Sequence, residues 1–241
     1  MTTRTATRVS PAVCMLAVVL ALAGCTRTQT AVDLDGVVRV FSGDPSNPVF
    51  GRNSDWIALG DTASTSKTTR TADGRAALDV TASGDKAALL RRVDASLLAT
   101  PFLFWEWIVV DGAADHPVRL VIGLADHAME PESAFGAALG PAEPPPFSRS
   151  LTLVWGASAL QRGSLVASGA GANGRPHVRY VARGGRENRG QWWSEHLDLS
   201  QLHAAAWPSV DMAQSRIVFA GISVAEGDTG TMRIAGFKLS R

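Results

Sequence analysis

The sequence predicts an all-β protein: a two-sheet antiparallel β-sandwich, jelly-roll-like, with one short helix near 200–207. Three observations carry this expectation. The apolar residues come in short runs rich in Val, Ile, Leu, Phe and Trp, bounded by Gly, Asp, Asn and Pro, which is the pattern of strands and turns. No long segment has the 3.6-residue spacing of an amphipathic helix. Two runs, 102–110 (FLFWEWIVV) and 216–224 (RIVFAGISV), are apolar at both parities, as central strands covered on both sides are.

The chain opens with Arg4 and Arg8, followed by an uncharged stretch from Val9 to Ala23. These have the character of the n-region and h-region of a secretory signal. At about 15 residues the stretch falls short of the roughly 18–20 that span a bilayer, so it reads as a signal rather than an anchor. Leu22-Ala23-Gly24-Cys25 ends it. This tetrapeptide resembles the lipobox of bacterial lipoprotein precursors. The resemblance implies a diacylglyceryl group on the Cys25 thiol, cleavage after residue 24 and acylation of the freed amine. Several acyl chains, at about 0.8 kcal/mol per buried methylene, hold a protein stably on a bilayer. Thr26 stands where an aspartate would suggest inner-membrane retention, so similarity to enteric lipoproteins implies the periplasmic face of the outer membrane. The expected organisation is a leader over 1–24, a lipidated cysteine and polar tether over 25–35, and one β-sandwich domain over 36–241.

Within that domain, strands are expected near 37–41, 55–59, 75–81, 86–92, 102–110, 117–124, 150–155, 177–183, 191–199, 216–224 and 231–239. Ser200 to Trp207 has a cap-like serine, good helix formers and a following Pro208, which predicts one or two helical turns. Residues 125–149 contain five prolines and form a long connection, with room for a helical turn near 133–139. In the last strand the apolar set begins as Met232 and Ile234 and continues as Phe237 and Leu239. That shift of one residue at Ala235-Gly236 predicts a β-bulge.

Composition narrows the function classes. Losing Arg4 and Arg8 with the leader turns a formal charge of +1 into −1, which argues against a general nucleic-acid binder. Cys14 leaves with the leader and Cys25 carries lipid, so the remaining domain has no cysteine pair for a disulfide. Gly169 to Gly174 matches the dinucleotide fingerprint in letters, but Pro176 and a strand-like segment follow where a helix is required. It reads as a hairpin loop. The five histidines lack the i, i+2 and i, i+4 spacings of a local metal site, and no cysteine remains to ligate zinc. No metal residues are therefore assigned. A structural calcium stays open, with Asp111, Asp115, Asp126 and Asp228 as its loop carboxylates.

Candidate binding chemistry centres on the seven tryptophans. Trp105 and Trp107 share one face of a strand, with Glu106 on the other, and Trp192 and Trp193 face opposite ways. Trp155 ends a strand where a rim is expected. Trp193 and Glu195 share a parity, setting an indole beside a carboxylate. Arg175, Arg179, Arg183, Arg186 and Arg189 crowd one hairpin, and Arg179 and Arg183 on one face could meet carboxylate or phosphate bidentately. The candidate ligand-binding set is Trp155, Arg179, Trp193 and Glu195. Glu106, Glu195 and Asp198 are the carboxylates available for glycoside hydrolysis. No catalytic residue is assigned.

Taken in order, KAALLRRVD (86–94), PFLFWEWIV (101–109), DHPVRLVIGL (115–124), SLTLVWG (150–156), RYVARGG with QWWSEHLDLSQLHAAAW, and the closing IVFAGISVAEGDTGTMRIAGFKL resemble an uncharacterised bacterial family, domain of unknown function 3047. The resemblance spans most of the domain and implies an exported jelly-roll β-sandwich with no established catalytic residues. The combined expectation is an outer-membrane-anchored periplasmic lipoprotein that binds a saccharide or envelope glycan, or an anionic envelope ligand, without catalysis. Its alternatives are a polysaccharide hydrolase or lyase on the same fold, and an envelope assembly or structural lipoprotein with a protein partner. The lipid bilayer itself is the partner implied by Cys25.

Overall fold

The computed structural model describes residues 34–42, 56–61, 66–71, 74–126, 143–170 and 174–241. The leader, Cys25, nearly all of the tether and the expected turn near 133–139 lie outside the described residues. In chain order the strands are β1 (Val37–Arg39), β2 (Trp56–Leu59), β3 (Ser66–Arg70), β4 (Ala76–Ser83), β5 (Ala87–Ser96), β6 (Phe102–Gly112) and β7 (Val118–Asp126). They continue as β8 (Arg149–Gly156), β9 (Leu165–Ala170), β10 (Pro176–Gly184), β11 (Trp193–Asp198), β12 (Ser215–Val224) and β13 (Thr229–Ser240). One sheet runs β11-β6-β13-β4-β3 with β1 also on β13; the other runs β2-β5-β12-β7-β8-β10-β9. The two sheets pack as the expected jelly-roll-like sandwich.

Alternation builds the core. Leu103, Trp105, Trp107 and Val109 of β6 are fully buried, as are Val118, Leu120 and Ile122 of β7 in the opposite sheet. Between them the indoles form a chain of edge-to-face contacts, Trp105 to Trp107 at 5.4 Å and Trp107 to Trp155 at 5.7 Å. Each ring adds a large apolar area and a favourable aromatic contact. Strand β13 delivers Met232 and Ile234, then Phe237 and Leu239, to the same core because its register with β6 shifts between Ala235 and Lys238. Gly236 sits at this bulge with φ +58°, a left-handed conformation that suits glycine.

Several expectations need correction. The sandwich is not wholly antiparallel, because β8 and β10 pair in parallel. The link after β8 passes over one strand position to lay down β9, and β10 then returns antiparallel to β9 in the gap. Strands β3 and β9 were not expected. Ser66-Lys-Thr-Thr-Arg70 has no apolar alternation, as suits a charged edge strand that resists pairing with another chain. Strand β6 is not covered on both faces: Leu103, Trp105 and Trp107 point inward, while Phe104, Glu106 and Ile108 are half-exposed on the outside. The helix, α1 (Leu199–Ala206), is capped by Asp198 and not by Ser200, since the Asp198 carboxylate accepts from the amides of Ser200 and Gln201.

Candidate functional site

The structure separates the residues singled out from sequence. Trp155 does not sit at a rim; it is fully buried against Trp107, so its ring presents no face to a ligand. Trp193 and Glu195 do share a face, but their register partners are Trp107 and Trp105, so that face looks into the sandwich. Glu195 accepts from Arg183 Nε at 2.5 Å and from Arg162 at 3.0 Å, and is 4% exposed. The Arg183 guanidinium lies 3.7 Å over the Trp193 ring, whose Nε1 donates to the Asn188 carbonyl. These groups close the edge between the two sheets.

Arg179 and Arg183 do not share a strand face. The register of β10 on β8 shifts between Val181 and Arg183, so Arg179 points out of the sandwich while Arg183 pairs with inward-facing Trp155. Arg179 is ion-paired with Asp115. The carboxylates considered for hydrolysis are dispersed as well. Glu106 bonds Arg75 and Ser194 on the outer face of its sheet, Asp198 caps α1, and Glu195 is buried. Among the described residues no three His, Cys, Asp or Glu side chains converge as metal ligands. Asp126 is held by Arg149, Asp115 by Arg179, and Asp111 accepts from the Thr231 amide.

A concavity lies elsewhere, on the outer face of the seven-stranded sheet. Register places Ser223 of β12 between Arg119 of β7 and Ala88 of β5, and Leu59 of β2 beside Ala88. On the other flank, His177 of β10 pairs with Ser150 of β8. The resulting groove of about 500 Å³ is lined by these residues together with Thr152, Lys86, Phe147 and Arg175, among others. It crosses six neighbouring strands, β2-β5-β12-β7-β8-β10. At a strand spacing of about 4.8 Å that is roughly 24 Å of length.

Local packing shapes this groove. A Cβ at Gly123 would stand 2.1 Å from the Phe219 ring, so the glycine allows that ring to lie down on the sheet. Phe147 meets Phe219 edge-on at 5.2 Å, and the Arg175 guanidinium lies 4.4 Å over Phe147. This stack forms a raised wall. His177 is fixed by two hydroxyls, Ser150 Oγ at 2.9 Å from Nδ1 and Thr152 Oγ1 at 3.3 Å from Nε2. Burial, and then the nearby Arg119 charge, hold its pKa below the usual histidine value. It is therefore neutral at neutral pH.

Sequence reasoning passed over Arg119, Ser223 and His177 as members of one site. A signal existed in DHPVRLVIGL, where Arg119 is the one charge between Val118 and Leu124, a run otherwise apolar at both parities. A lone charge there requires a polar or liganded surface on one side of the sheet.

The chain matches no family model and no curated protein. Solved structures do resemble it. A family 12 xyloglucanase from Bacillus licheniformis in complex with ligand is 9% identical over 82% of this chain and 97% of its own, with a TM-score of 0.45. A family 11 carbohydrate-binding module from Clostridium thermocellum, in complex with a β-1,3-1,4-mixed-linked tetrasaccharide, is 10% identical over 86% of this chain and 97% of its own, at 0.41. A family 30 carbohydrate-binding module of a cellulosomal cellulase from Clostridium thermocellum is 13% identical over 85% and 96%, at 0.40. At such identities and scores no residue role passes from them to this chain.

Proposed function

We propose that this chain is a non-catalytic saccharide-binding β-sandwich, held by lipid on Cys25 at the periplasmic face of a bacterial outer membrane, with an envelope glycan as its ligand. The observation that carries the binding reading is the groove across six strands. Its floor offers apolar carbon at Leu59, Ala88 and Val224, and its polar groups are Ser150, Thr152, Ser223, His177, Lys86 and the guanidinium groups of Arg119 and Arg175. Sugar rings present both C–H faces and hydroxyls, and a mixed lining of this kind suits them. The length of the groove favours an extended chain over a single sugar. Glycoside hydrolysis uses two carboxylates flanking the bond, and the described lining residues include neither Asp nor Glu. Anchoring rests on the basic segment, the apolar stretch and the lipobox-like Leu22-Ala23-Gly24-Cys25.

The test is a plug. Ser223 lies half-buried near the middle of the groove, so Ser223→Trp fills it without entering the core. Wild-type protein is expected to be retained on at least one immobilised envelope polysaccharide, and Ser223→Trp to lose that retention while melting within a few degrees of wild type. Retention undiminished by the plug, or absent from the wild type, defeats the proposal.

A further inference from the structure

Among the described residues, arginines that are buried or half-buried have partners, with two exceptions. Arg91, Arg92 and Arg189 donate to backbone carbonyls, and Arg149, Arg179, Arg183 and Arg216 are ion-paired. Among the described residues, Arg119 and Arg175 are the half-buried arginines that make neither a hydrogen bond nor an ion pair, and both line the groove. Arg119 Nε is buried with no hydrogen-bond partner. Arg175 is braced over the Phe147 ring. Lys86, exposed at the opposite flank, also has no ion pair, and no carboxylate stands among the described lining residues.

Resting on the saccharide reading, we propose that the groove takes an acidic glycan, one whose sugars carry carboxylate or phosphate groups, and that Arg119 and Arg175 receive those groups. A guanidinium partly removed from water and left without an acceptor is costly, and the cost is recovered when a ligand supplies the acceptor. The planar fork of arginine fits a carboxylate or a phosphate with two parallel hydrogen bonds. Asp115 and Asp228 act on Arg119 through their charge, without a hydrogen bond or ion pair to it, and Asp115 is already engaged by Arg179. Among its described lining residues the groove therefore holds three cations and no carboxylate. Stacking on Phe147 orients the Arg175 guanidinium before a ligand arrives, so little side-chain freedom is lost on binding. The hydroxyls of Ser150, Thr152 and Ser223 remain for the uncharged part of the sugar.

The experiment is calorimetric titration of the full-length protein with an oligogalacturonate, its fully methyl-esterified counterpart, a phosphate-bearing oligosaccharide, free galacturonate and inorganic phosphate. The ester keeps the backbone and removes the charge. Binding of an acidic oligosaccharide about tenfold or more tighter than the ester, weakening with added salt, is expected. Arg119→Met, which keeps the bulk of the side chain, and Arg175→Gln should each remove most of that difference, whereas Arg186→Gln, an exposed charge removed from outside the groove, should not. The carboxylate and phosphate arms identify which anion is preferred. Equal binding of acid and ester overturns this inference and leaves the saccharide reading standing. Binding of phosphate or free galacturonate as tight as that of either oligosaccharide identifies a small-anion site and overturns both. Failure of every saccharide to bind also overturns both.

Discussion

Replacing Glu195 with glutamine should destabilise the fold by about 3–5 kcal/mol, although only a charge is removed. The magnitude follows from what surrounds it. Glu195 is 4% exposed and Arg183, its closest partner, 10% exposed at the side chain, so neither charge is solvated. Removing one member of a buried pair leaves the other as an uncompensated buried cation, which costs about that much. The second partner provides an internal control. Arg162 reaches the same carboxylate from a position 56% exposed, and water can replace it, so Arg162→Gln should cost less than about 1 kcal/mol. The assay is urea unfolding of wild type and both variants, fitted for midpoint and slope. For a protein of this size the Glu195→Gln loss corresponds to roughly 6–20 °C in melting temperature. A cost below about 1 kcal/mol for Glu195→Gln, or equal costs for the two variants, refutes the reasoning. A ligand-binding role would show the opposite pattern, with binding lost and stability kept.

Trp155→Ala should cost about 3–5 kcal/mol in the same assay and leave glycan retention per folded molecule unchanged, because the ring is sealed against Trp107. Acid should weaken the fold before carboxylates titrate. Burial holds His116, His177 and His203 below the ordinary histidine pKa, so the unfolded chain takes up protons the folded one resists; stability is complete above about pH 6.5 and falls as the pH drops below it. His203 Nε2 faces the donors of Arg149 and Ser215 and has no room for a proton, so His203→Gln should reduce the loss between pH 6.5 and 5 by up to about 1.4 kcal/mol per unit. An unchanged slope in urea titrations across that range contradicts the assignment. Cys25→Ser should yield uncleaved precursor or soluble protein on fractionation; a correctly processed variant that still sediments with membranes argues against lipid anchoring.

Most strands were legible because burial on one face imposes a period of two, and the bulge at Ala235-Gly236 was legible because it breaks that period. Parity says which residues share a face, but not which way the face points. Trp193 and Glu195 were correctly grouped, yet the inward direction depended on β11 pairing with β6, a contact between segments far apart in the chain. The parallel pairing of β8 with β10 was hidden for the same reason, since nothing local to Leu165–Ala170 says that it lies outside β10. Arg183 was placed on the face of Arg179 because a bulge between two apolar or ambiguous residues leaves no mark in the pattern. The groove was the least legible feature, being assembled from one or two residues on each of six strands and from the absence of a side chain at Gly123.

The chain of indoles through the core has a spectroscopic consequence. Trp105, Trp107 and Trp155 lie within contact of one another and away from water, whereas the lining of the groove contains no tryptophan among the described residues. Intrinsic emission should therefore follow the integrity of the sandwich and stay nearly silent when the groove fills. A probe placed on the groove wall would be needed to see occupancy by light, while native fluorescence would give a melting signal little distorted by the ligand.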